Sequence, residues 1–310
     1  MQEITDYGKV FETLIEKTEE YVLGNNLHAM VLGISGGIDS TVVAAICHEV
    51  SKRTNIPLIG RSLPTKFNKE EEISAANLVG KAFCTDYKVA NLNRVYYTFL
   101  SQIMISEKED TDWDVDYSGN IVRVNTEGFQ TPIANGNIQA RLRMIYLYNL
   151  ASIHGGLVMD TDNLTENNLG YFTIHGDVGD FNPIGCLWKT EVFKLAEWIH
   201  NYYYNKARCL EEGHFYQQAD EIALKLEAIK ESLKLKPTAG LGITNNDLEE
   251  IGAESYDQVD RILQCLTDNS ISTDTIDDIP DTILEAVVKR HNASKFKRKQ
   301  LPIKITRNEI

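Results

Sequence analysis

The chain of 310 residues has few cysteines, no excess of basic residues and no long apolar run. Its five cysteines lie far apart and form no CxxC pair, which argues against a zinc site or a disulfide framework. The net charge of −14 argues against nucleic-acid or membrane-surface binding, because attraction to phosphates needs a basic field. No apolar run is long enough to span a bilayer, and no signal peptide is recognisable. We therefore expect a cytoplasmic protein with neither nucleic-acid nor membrane partners.

Internal repeats and low-complexity segments are also absent, so the fold must be inferred from the order of the elements. Apolar runs at 29–34, 56–63, 84–90 and 157–160 predict short buried strands. Helical patterns lie between and after them, at 3–23, 41–50, 68–83, 91–106, 137–155, 189–206 and 214–235. Residues 107–136 and 161–186 look irregular. Alternating strands and helices predict an α/β fold, a doubly wound parallel sheet with extra helices.

The first candidate site is the sequence GISGGIDS at 33–40, between a predicted strand and a predicted helix. Gly36 and Gly37 allow a phosphate to approach the backbone closely, because glycine has no Cβ and tolerates positive φ. The helix that follows directs free N–H groups and the positive end of its dipole at the same point. Asp39 stands where a Walker A loop has lysine, and its carboxylate suits Mg²⁺. The alternative is a glycine-rich turn that only joins strand and helix.

The second candidate site follows the strand at 157–160, where Thr161, Asp162 and Glu166 are close together in sequence. Ligands of doubly wound sheets bind beyond the carboxyl ends of the strands, which is where both candidate sites lie. Glu166 is thus a candidate second carboxylate for the Mg²⁺ held by Asp39. Alternatively, Thr161 and Asp162 cap the next helix and Glu166 is solvated.

These motifs resemble those of a known family. SGGIDS resembles the loop of the N-type ATP pyrophosphatases, which have a Rossmann-like fold of the adenine nucleotide alpha hydrolase type. Together with NIQARLRM at 137–144, the motif at 161–189, Pro237-Thr238 and ASKFKR at 293–298, it resembles the NAD synthetase family. The resemblance covers most of the chain, in the correct order, and implies a single domain over residues 1–310.

The resemblance also implies roles for individual residues. It places Asp39 and Glu166 on Mg²⁺ and makes Asp39, Lys189 and Glu166 catalytic. It assigns Arg141, Asp180 and Lys297 to deamido-NAD. The ATP-binding residues that it implies are Gly33, Ile34, Ser35, Gly36, Gly37, Ile38, Asp39, Ser40, Thr161, Lys189 and Thr238. Without the family pattern, Lys189 would be read as an exposed helix lysine. Arg141 and Arg143 lie two residues apart on one helix, so we expect only one of them to reach the ligand.

The implied reaction is the ATP-dependent amidation of deamido-NAD to NAD. The nicotinate carboxylate attacks the α-phosphorus of ATP, and ammonia then displaces AMP from the acyl-adenylate. Positioning and charge neutralisation should dominate, because no nucleophile–base pair is visible. The chain has no room for the amidase domain of glutamine-dependent members, so we expect free ammonia or a separate protein to supply nitrogen. The family is typically homodimeric, with deamido-NAD bound across the interface.

Three positions depart from the family pattern. Ile174 stands where many members have a lysine that approaches deamido-NAD, Phe296 stands in place of a histidine, and Asp160 replaces a glycine. His175 could compensate for Ile174 or be an ordinary loop histidine. Residues 205–235 look like a helical insertion. The basic stretch that begins at 289 and runs to the C-terminus either closes over the anionic substrates or is a solvated tail.

Two other functions remain open at this stage. The first is another adenylating enzyme of the superfamily, similar to GMP synthetase or to a tRNA-modifying enzyme, although neither would account for the motifs at 137–144 and 161–189. The second is a non-catalytic nucleotide-binding relative, which Ile174 and Phe296 favour and Asp39, Glu166 and Lys189 oppose.

Overall fold

The computed structural model describes residues 4–107, 114–115, 121–123, 132–237, 247–268, 271, 276–299 and 303–304. A parallel sheet of six strands has the order β3-β2-β1-β6-β7-β8. Its strands are β1 (Met30–Gly33), β2 (Leu58–Ser62), β3 (Asp86–Val89), β6 (Leu157–Met159), β7 (Phe181–Asn182) and β8 (Ile303–Lys304). A separate antiparallel pair comprises β4 (Asp114–Val115) and β5 (Ile121–Arg123). The strand order changes direction beside β1, which places a ligand crevice at the end of that strand.

Helices cover both faces of the large sheet. One face carries α1 (Tyr7–Gly24), α2 (Ile38–Thr54), α3 (Glu70–Phe83), α7 (Lys189–Glu212) and α8 (Tyr216–Lys234), and the other carries α4 (Asn93–Glu107) and α5 (Pro132–His154). Alternate side chains of β1 supply the two cores, because Met30 and Leu32 pack on the first face and Val31 on the second. The doubly wound α/β fold predicted from the sequence is therefore confirmed.

A third apolar cluster lies beyond the sheet. It joins α6 (Leu164–Leu169), α9 (Asp247–Ile251), α10 (Tyr256–Thr267) and α11 (Asp281–Ala293), with Trp188 fully buried among them. The sequence reading missed α6 and β7, which lie in the stretch expected to be irregular, and it missed the three later helices. The α6 helix has six residues, too few to show a helical period, and its signals are a capping box at Asn163 and Gly170 at φ +68°.

The α8 helix packs against the helices α2, α3 and α7 on one side of the sheet. The hydroxyl groups of Thr41 on α2 and Ser232 on α8 lie 2.7 Å apart, and both side chains are buried. Residues 205–235 therefore form the end of α7 and α8, within the helical layer. Across the described ranges, no helix combines the length and the apolar character needed to cross a membrane.

Candidate active site

The phosphate loop, residues 33–40, joins β1 to α2 in a turn held by hydrogen bonds. The hydroxyl groups of Ser35 and Ser40 lie 3.0 Å apart, the Gly37 N–H donates to Ser35 Oγ, and Ser40 Oγ donates to the Gly37 carbonyl. Gly37 has extended backbone angles and precedes the first turn of α2. The loop therefore ends at the N-terminus of a 17-residue helix, where free N–H groups attract anions.

Gly36 fixes the contact between this loop and α3. It has φ +87°, and a Cβ at this position would lie 2.6 Å from the Ala76 backbone nitrogen and 2.7 Å from the Glu72 carbonyl oxygen. A side chain would therefore need both a rare backbone conformation and a displacement of helix backbone. Only glycine allows α3 to pack this closely against the loop.

A cavity of about 410 Å³ opens over the phosphate loop. All the predicted ATP-binding residues at 33–40 line it except Gly36, which faces α3, and Thr161, Glu166, Lys189 and Lys297 line it too. Arg141 and Asp180 do not contribute to its wall. The predicted contact of Thr238 lies outside the described residues. The structure thus brings the residues expected to bind ATP around one cavity and leaves two of the residues expected to bind deamido-NAD elsewhere.

Lys189 forms the charged centre of the cavity. It is the first residue of α7 and is 1% exposed, so it is not a surface lysine. Its Nζ donates to Asp39 Oδ2 at 2.5 Å and to Glu166 Oε1 at 3.0 Å, and lies 5.6 Å from the centre of the Tyr256 ring. Burial lowers the pKa of Lys189, but the attraction of Asp39 and Glu166 outweighs it and holds the pKa well above the ordinary value. The lysine is therefore a permanent cation between two carboxylates.

Asn163 holds those two carboxylates at a fixed separation. Its Nδ2 donates to Asp39 Oδ1 at 2.9 Å, while its Oδ1 accepts the Glu166 N–H at the start of α6. The Asn163 N–H in turn donates to Glu166 Oε2 at 3.3 Å. Asn163 itself is fully buried, so its rotamer is set by packing. The helix cap that the sequence reading offered for Thr161 and Asp162 is thus Asn163, and Glu166 is ion-paired rather than solvated.

The α10 helix contributes a carboxylate that fixes the start of α7, where Lys189 lies. The buried carboxylate of Asp260 accepts the Thr165 hydroxyl at 2.5 Å and the Thr190 N–H at 2.9 Å. Thr165 Oγ1 also accepts the N–H of Lys189 at 2.8 Å. Burial raises the pKa of Asp260 to about 6, and the hydrogen bonds from Thr165 and Thr190 oppose this increase. A single carboxylate therefore ties together the start of α7 and the helix that carries Glu166.

Asp160, which stands in place of the family glycine, has a structural role. It is 1% exposed, and its two oxygens accept the N–H groups of Asp162 and Gly179 and the amide of Asn182. These bonds join the end of β6 to the start of β7. The carboxylate therefore holds the turn that carries Thr161, and Asp160 does not line the cavity.

The described part of the basic C-terminal stretch binds the carbonyl end of α6. Lys297 Nζ donates to the carbonyl oxygens of Gly170 and Phe172 at 2.8 and 2.5 Å, Arg298 donates to Asn168 O, and Arg290 donates to Leu169 O. Cations are favourable there because helix carbonyls carry partial negative charge. Up to residue 299, this stretch is therefore packed against the end of α6 and is not a free solvated tail, although the Phe296 side chain is 63% exposed.

Arg141 lies on an exposed face of α5, and Asp180, which directly precedes β7, contacts the same helix through Tyr148. Arg141 Nε donates to the carbonyl of Ile174 at 3.3 Å, and Asp180 accepts the Tyr148 hydroxyl at 3.0 Å and the Val158 N–H. Ile145 lies one turn from Arg141 on the same face and is 65% exposed. Arg141 therefore faces outwards next to an exposed apolar side chain, whereas Asp180 is half-buried beside the same helix. Arg143 points into the cavity instead.

Sequence reasoning missed Asn163 and Asp260, and it gave no binding role to Arg143. The asparagine could have been identified from the capping-box spacing with Glu166. Asp260 lies within a strongly amphipathic helix and has no local signal, because its partners are residues 165 and 190.

The fold and this loop define an α/β nucleotide-binding protein of the PP-loop class. The family model for NAD synthase matches residues 10–301. The chain is 32% identical to the NH(3)-dependent NAD(+) synthetase of Pyrococcus horikoshii over 304 residues, which cover 97% of this chain and 95% of that protein. It is 29% identical to the enzyme of the same name from Thermoplasma acidophilum over 296 residues, covering 94% and 96% of the two chains. The chain belongs to the NAD synthase family.

Solved structures agree on the fold. The NMN synthetase of Francisella tularensis superposes with a TM-score of 0.69 at 24% identity, over 97% of this chain and 99% of that one. The NH3-dependent NAD synthetase of Campylobacter jejuni, in complex with the nitrate ion, has a TM-score of 0.64 at 23% identity, over 96% and 99% of the two chains.

Proposed function

We propose that this protein is a carbon–nitrogen ligase that amidates deamido-NAD to NAD with ammonia and ATP, releasing AMP and pyrophosphate. One observation carries this proposal, namely the convergence of Lys189, Asp39 and Glu166 beside the phosphate loop. Family membership supports it, because the curated relatives are named NH(3)-dependent NAD(+) synthetases.

The chemistry required matches this arrangement. A carboxylate is a poor electrophile, and activation as an acyl-adenylate gives it a good leaving group. Cleavage of ATP between the α and β phosphates concentrates negative charge on pyrophosphate, next to the N–H groups at the start of α2 and the ammonium of Lys189. Preorganised donors of this kind stabilise developing charge strongly, because they need no rearrangement during the reaction. Lys189 and the loop are thus assigned to the departing phosphates.

The donor set also fits one magnesium ion. Asp39 Oδ2 and Glu166 Oε1 both contact the Lys189 Nζ, so the two carboxylates face a common point that now holds a cationic group. One or two carboxylates plus phosphate oxygens is the usual magnesium arrangement. When bound with ATP, Mg²⁺ would neutralise phosphate charge. Asp39 and Glu166 are the residues we assign to hold it.

We assign deamido-NAD to the exposed face of α5 and its neighbour α4, shared between two copies of the chain. Arg141 lies on this face and Asp180 contacts α5 through Tyr148, and neither residue lines the ATP site within one chain. Large apolar side chains are exposed on the same two helices, namely Val95 (49%), Phe99 (46%), Ile133 (61%), Ile145 (65%) and Ile153 (66%). A second copy would cover them and complete the substrate site. Lys297 remains the third assigned residue, on the cavity wall.

The direct test is a reaction of the protein with deamido-NAD, Mg-ATP and an ammonium salt. We expect NAD, AMP and pyrophosphate in equal amounts, and no NAD from a Lys189→Met variant. Absence of AMP at every ammonium concentration would contradict the proposal. Parallel reactions with nicotinate mononucleotide, with xanthosine monophosphate and with tRNA test other acceptors. If only one of these gives pyrophosphate, that compound, and not deamido-NAD, is the acceptor substrate. Glutamine in place of ammonium should give no product.

A further inference from the structure

Arg143 is a cavity residue to which the function described so far assigns no task. It lies in the middle of α5, and its side chain lines the cavity over the phosphate loop. Its Nε donates to the carbonyl of Leu63 at 3.1 Å, and its Nη2 donates to Asn68 Oδ1 at 3.0 Å. Both acceptors are neutral. Within the described part of the chain, no carboxylate forms an ion pair with this guanidinium.

Without a bound ligand, a guanidinium in this position without a carboxylate partner lowers the stability of the folded protein. A guanidinium has five N–H donors, and the two bonds to Leu63 and Asn68 use two of them. Burial lowers the pKa of Arg143 to about 10, while the more distant carboxylates of Asp177 and Glu72 oppose this decrease. A buried cation without a paired anion is destabilising, so proteins keep one where a ligand supplies the negative charge.

Four other cations of the cavity wall are already engaged, and a fifth, Lys236, is exposed to solvent. Lys189 contacts Asp39 and Glu166, Arg61 contacts Asp86, and Arg290 contacts Glu250. Lys297 donates to two carbonyl oxygens at the end of α6. Among the described arginines of the cavity wall, Arg143 is therefore the one without a carboxylate partner.

The position of Arg143 also relates it to the phosphate loop. Leu63 directly follows β2, the neighbour of β1, and Asn68 lies just before α3. Asn68 Nδ2 donates to Glu72, whose carbonyl packs against Gly36. A continuous set of contacts thus fixes the guanidinium relative to the loop, as precise binding requires.

We propose that Arg143 binds an anionic oxygen of a substrate in this cavity, either a phosphoryl oxygen of ATP or the carboxylate of the acceptor. Arginine suits both groups because its fork of donors can bind two oxygens at once. The proposal deepens the proposed function and rests on it for the identity of the acceptor.

Binding measurements without turnover separate this proposal from the assigned reaction. Calorimetry would compare wild type, Arg143→Gln and Arg143→Lys with ATP, adenosine, deamido-NAD and NAD. Arg208→Gln, which removes an exposed arginine of α7, is the control and should bind like wild type. If the partner is a phosphoryl oxygen, Arg143→Gln weakens ATP binding 10- to 100-fold and leaves adenosine binding unchanged. If it is the carboxylate, the variant weakens deamido-NAD binding by a similar factor and leaves NAD binding unchanged.

Unchanged dissociation constants for both ATP and deamido-NAD in a folded Arg143→Gln protein would overturn the proposal. If that variant does not fold, the wild-type protein decides the question by NMR. The Nε–H resonance of Arg143, assigned with the lysine variant, should shift on saturation with ATP or with deamido-NAD. A resonance that moves with neither ligand would overturn the proposal as well. Failure of the wild type to form NAD would contradict the proposed function and leave the ATP result valid.

Discussion

At the scale of single residues, the site is defined by charge compensation around Lys189. A buried ammonium is unfavourable unless it is paired, and here two carboxylates from different parts of the chain pair with it. Asn163 keeps both carboxylates in place through its amide. Each of these side chains therefore depends on the others for its position.

Asp39→Asn should test the centre of this cluster. The variant keeps the shape of the side chain and leaves Lys189 paired with Glu166, so we expect it to fold. Loss of the negative charge should lower turnover by roughly a hundredfold and raise the Mg²⁺ concentration needed for half-maximal activity. Asp281→Asn, in the exposed first turn of α11, is the control. Full turnover of Asp39→Asn at the same Mg²⁺ concentration would show that Asp39 holds no metal.

His48 should make the fold sensitive to acid. Burial lowers its pKa to about 4 and repulsion by Lys225 adds to this, while Nδ1 lies 2.9 Å from the Phe83 carbonyl. Between pH 6.5 and 4 the unfolded chain therefore binds a proton that the folded chain does not. The free energy of unfolding should decrease by up to about 3 kcal/mol as the pH falls through this range.

Urea unfolding of His48→Gln at several pH values checks this. The variant should lose less stability than wild type between pH 6.5 and 4, and His154→Gln, which removes an exposed imidazole, is the control. Parallel curves for wild type and His48→Gln would rule out the assigned role of His48.

At the scale of elements, the residues that we propose as catalytic lie at the N-terminal ends of helices. Lys189 begins α7, Glu166 lies in the first turn of α6, and Asp39 lies in the first turn of α2. Asp260 of α10 connects two of these ends through Thr165 and Thr190. The third apolar cluster thus supports the active site as well as stabilising the fold.

Asp260→Ala should therefore weaken both stability and turnover. It leaves the Thr165 hydroxyl and the Thr190 N–H without their acceptor in a buried place, which should cost about 3 kcal/mol in free energy of unfolding. Because Lys189 is held through the same bonds, kcat should fall while the KM for ATP changes little. Asp260→Asn retains one acceptor oxygen and should recover most of both losses. Equal stability and kcat of wild type and Asp260→Ala would contradict this role.

At the scale of the whole molecule, the sheet brings distant segments together. The order β2-β1-β6 places the loop after β1 beside the turn after β6, so residues more than a hundred positions apart meet over one cavity. In α5, by contrast, two residues that are close in sequence point to different sides of the helix. Its Arg143 faces the cavity and its Arg141 faces outwards, next to the exposed Ile145.

Ile145→Asp should separate the two copies of the proposed homodimer. A charge at the centre of an apolar contact is not compensated by the partner, so association should weaken. Analytical ultracentrifugation should show a shift from twice the chain mass of 35.0 kDa to the chain mass. The KM for deamido-NAD should rise, while ATP binding stays unchanged. Leu23→Asp, which alters an exposed apolar residue of α1, is the control, and a wild-type monomer would contradict the proposal.

Local patterns made a large part of this protein predictable. The phosphate loop is one contiguous segment, so its strand, glycine turn and helix are all encoded within about twenty residues. The start of α7 at Lys189 is encoded locally in the same way. Long periodic helices and the parallel sheet followed from the same kind of pattern. The short α6 and β7 did not, because six residues or two carry no measurable period.

By itself the sequence determined the loop, the residues that could carry charge and the two faces of α5. A helical period of 3.6 residues is enough to separate Arg141 from Arg143. Only the tertiary structure decided which of the two lines the cavity, because that depends on how α5 packs against β1 and β6. It likewise decided that Lys189 is buried between Asp39 and Glu166 and braced by Asp260. These contacts join residues that are far apart in sequence. A local sequence pattern therefore cannot predict which distant side chain will pair with a buried charge.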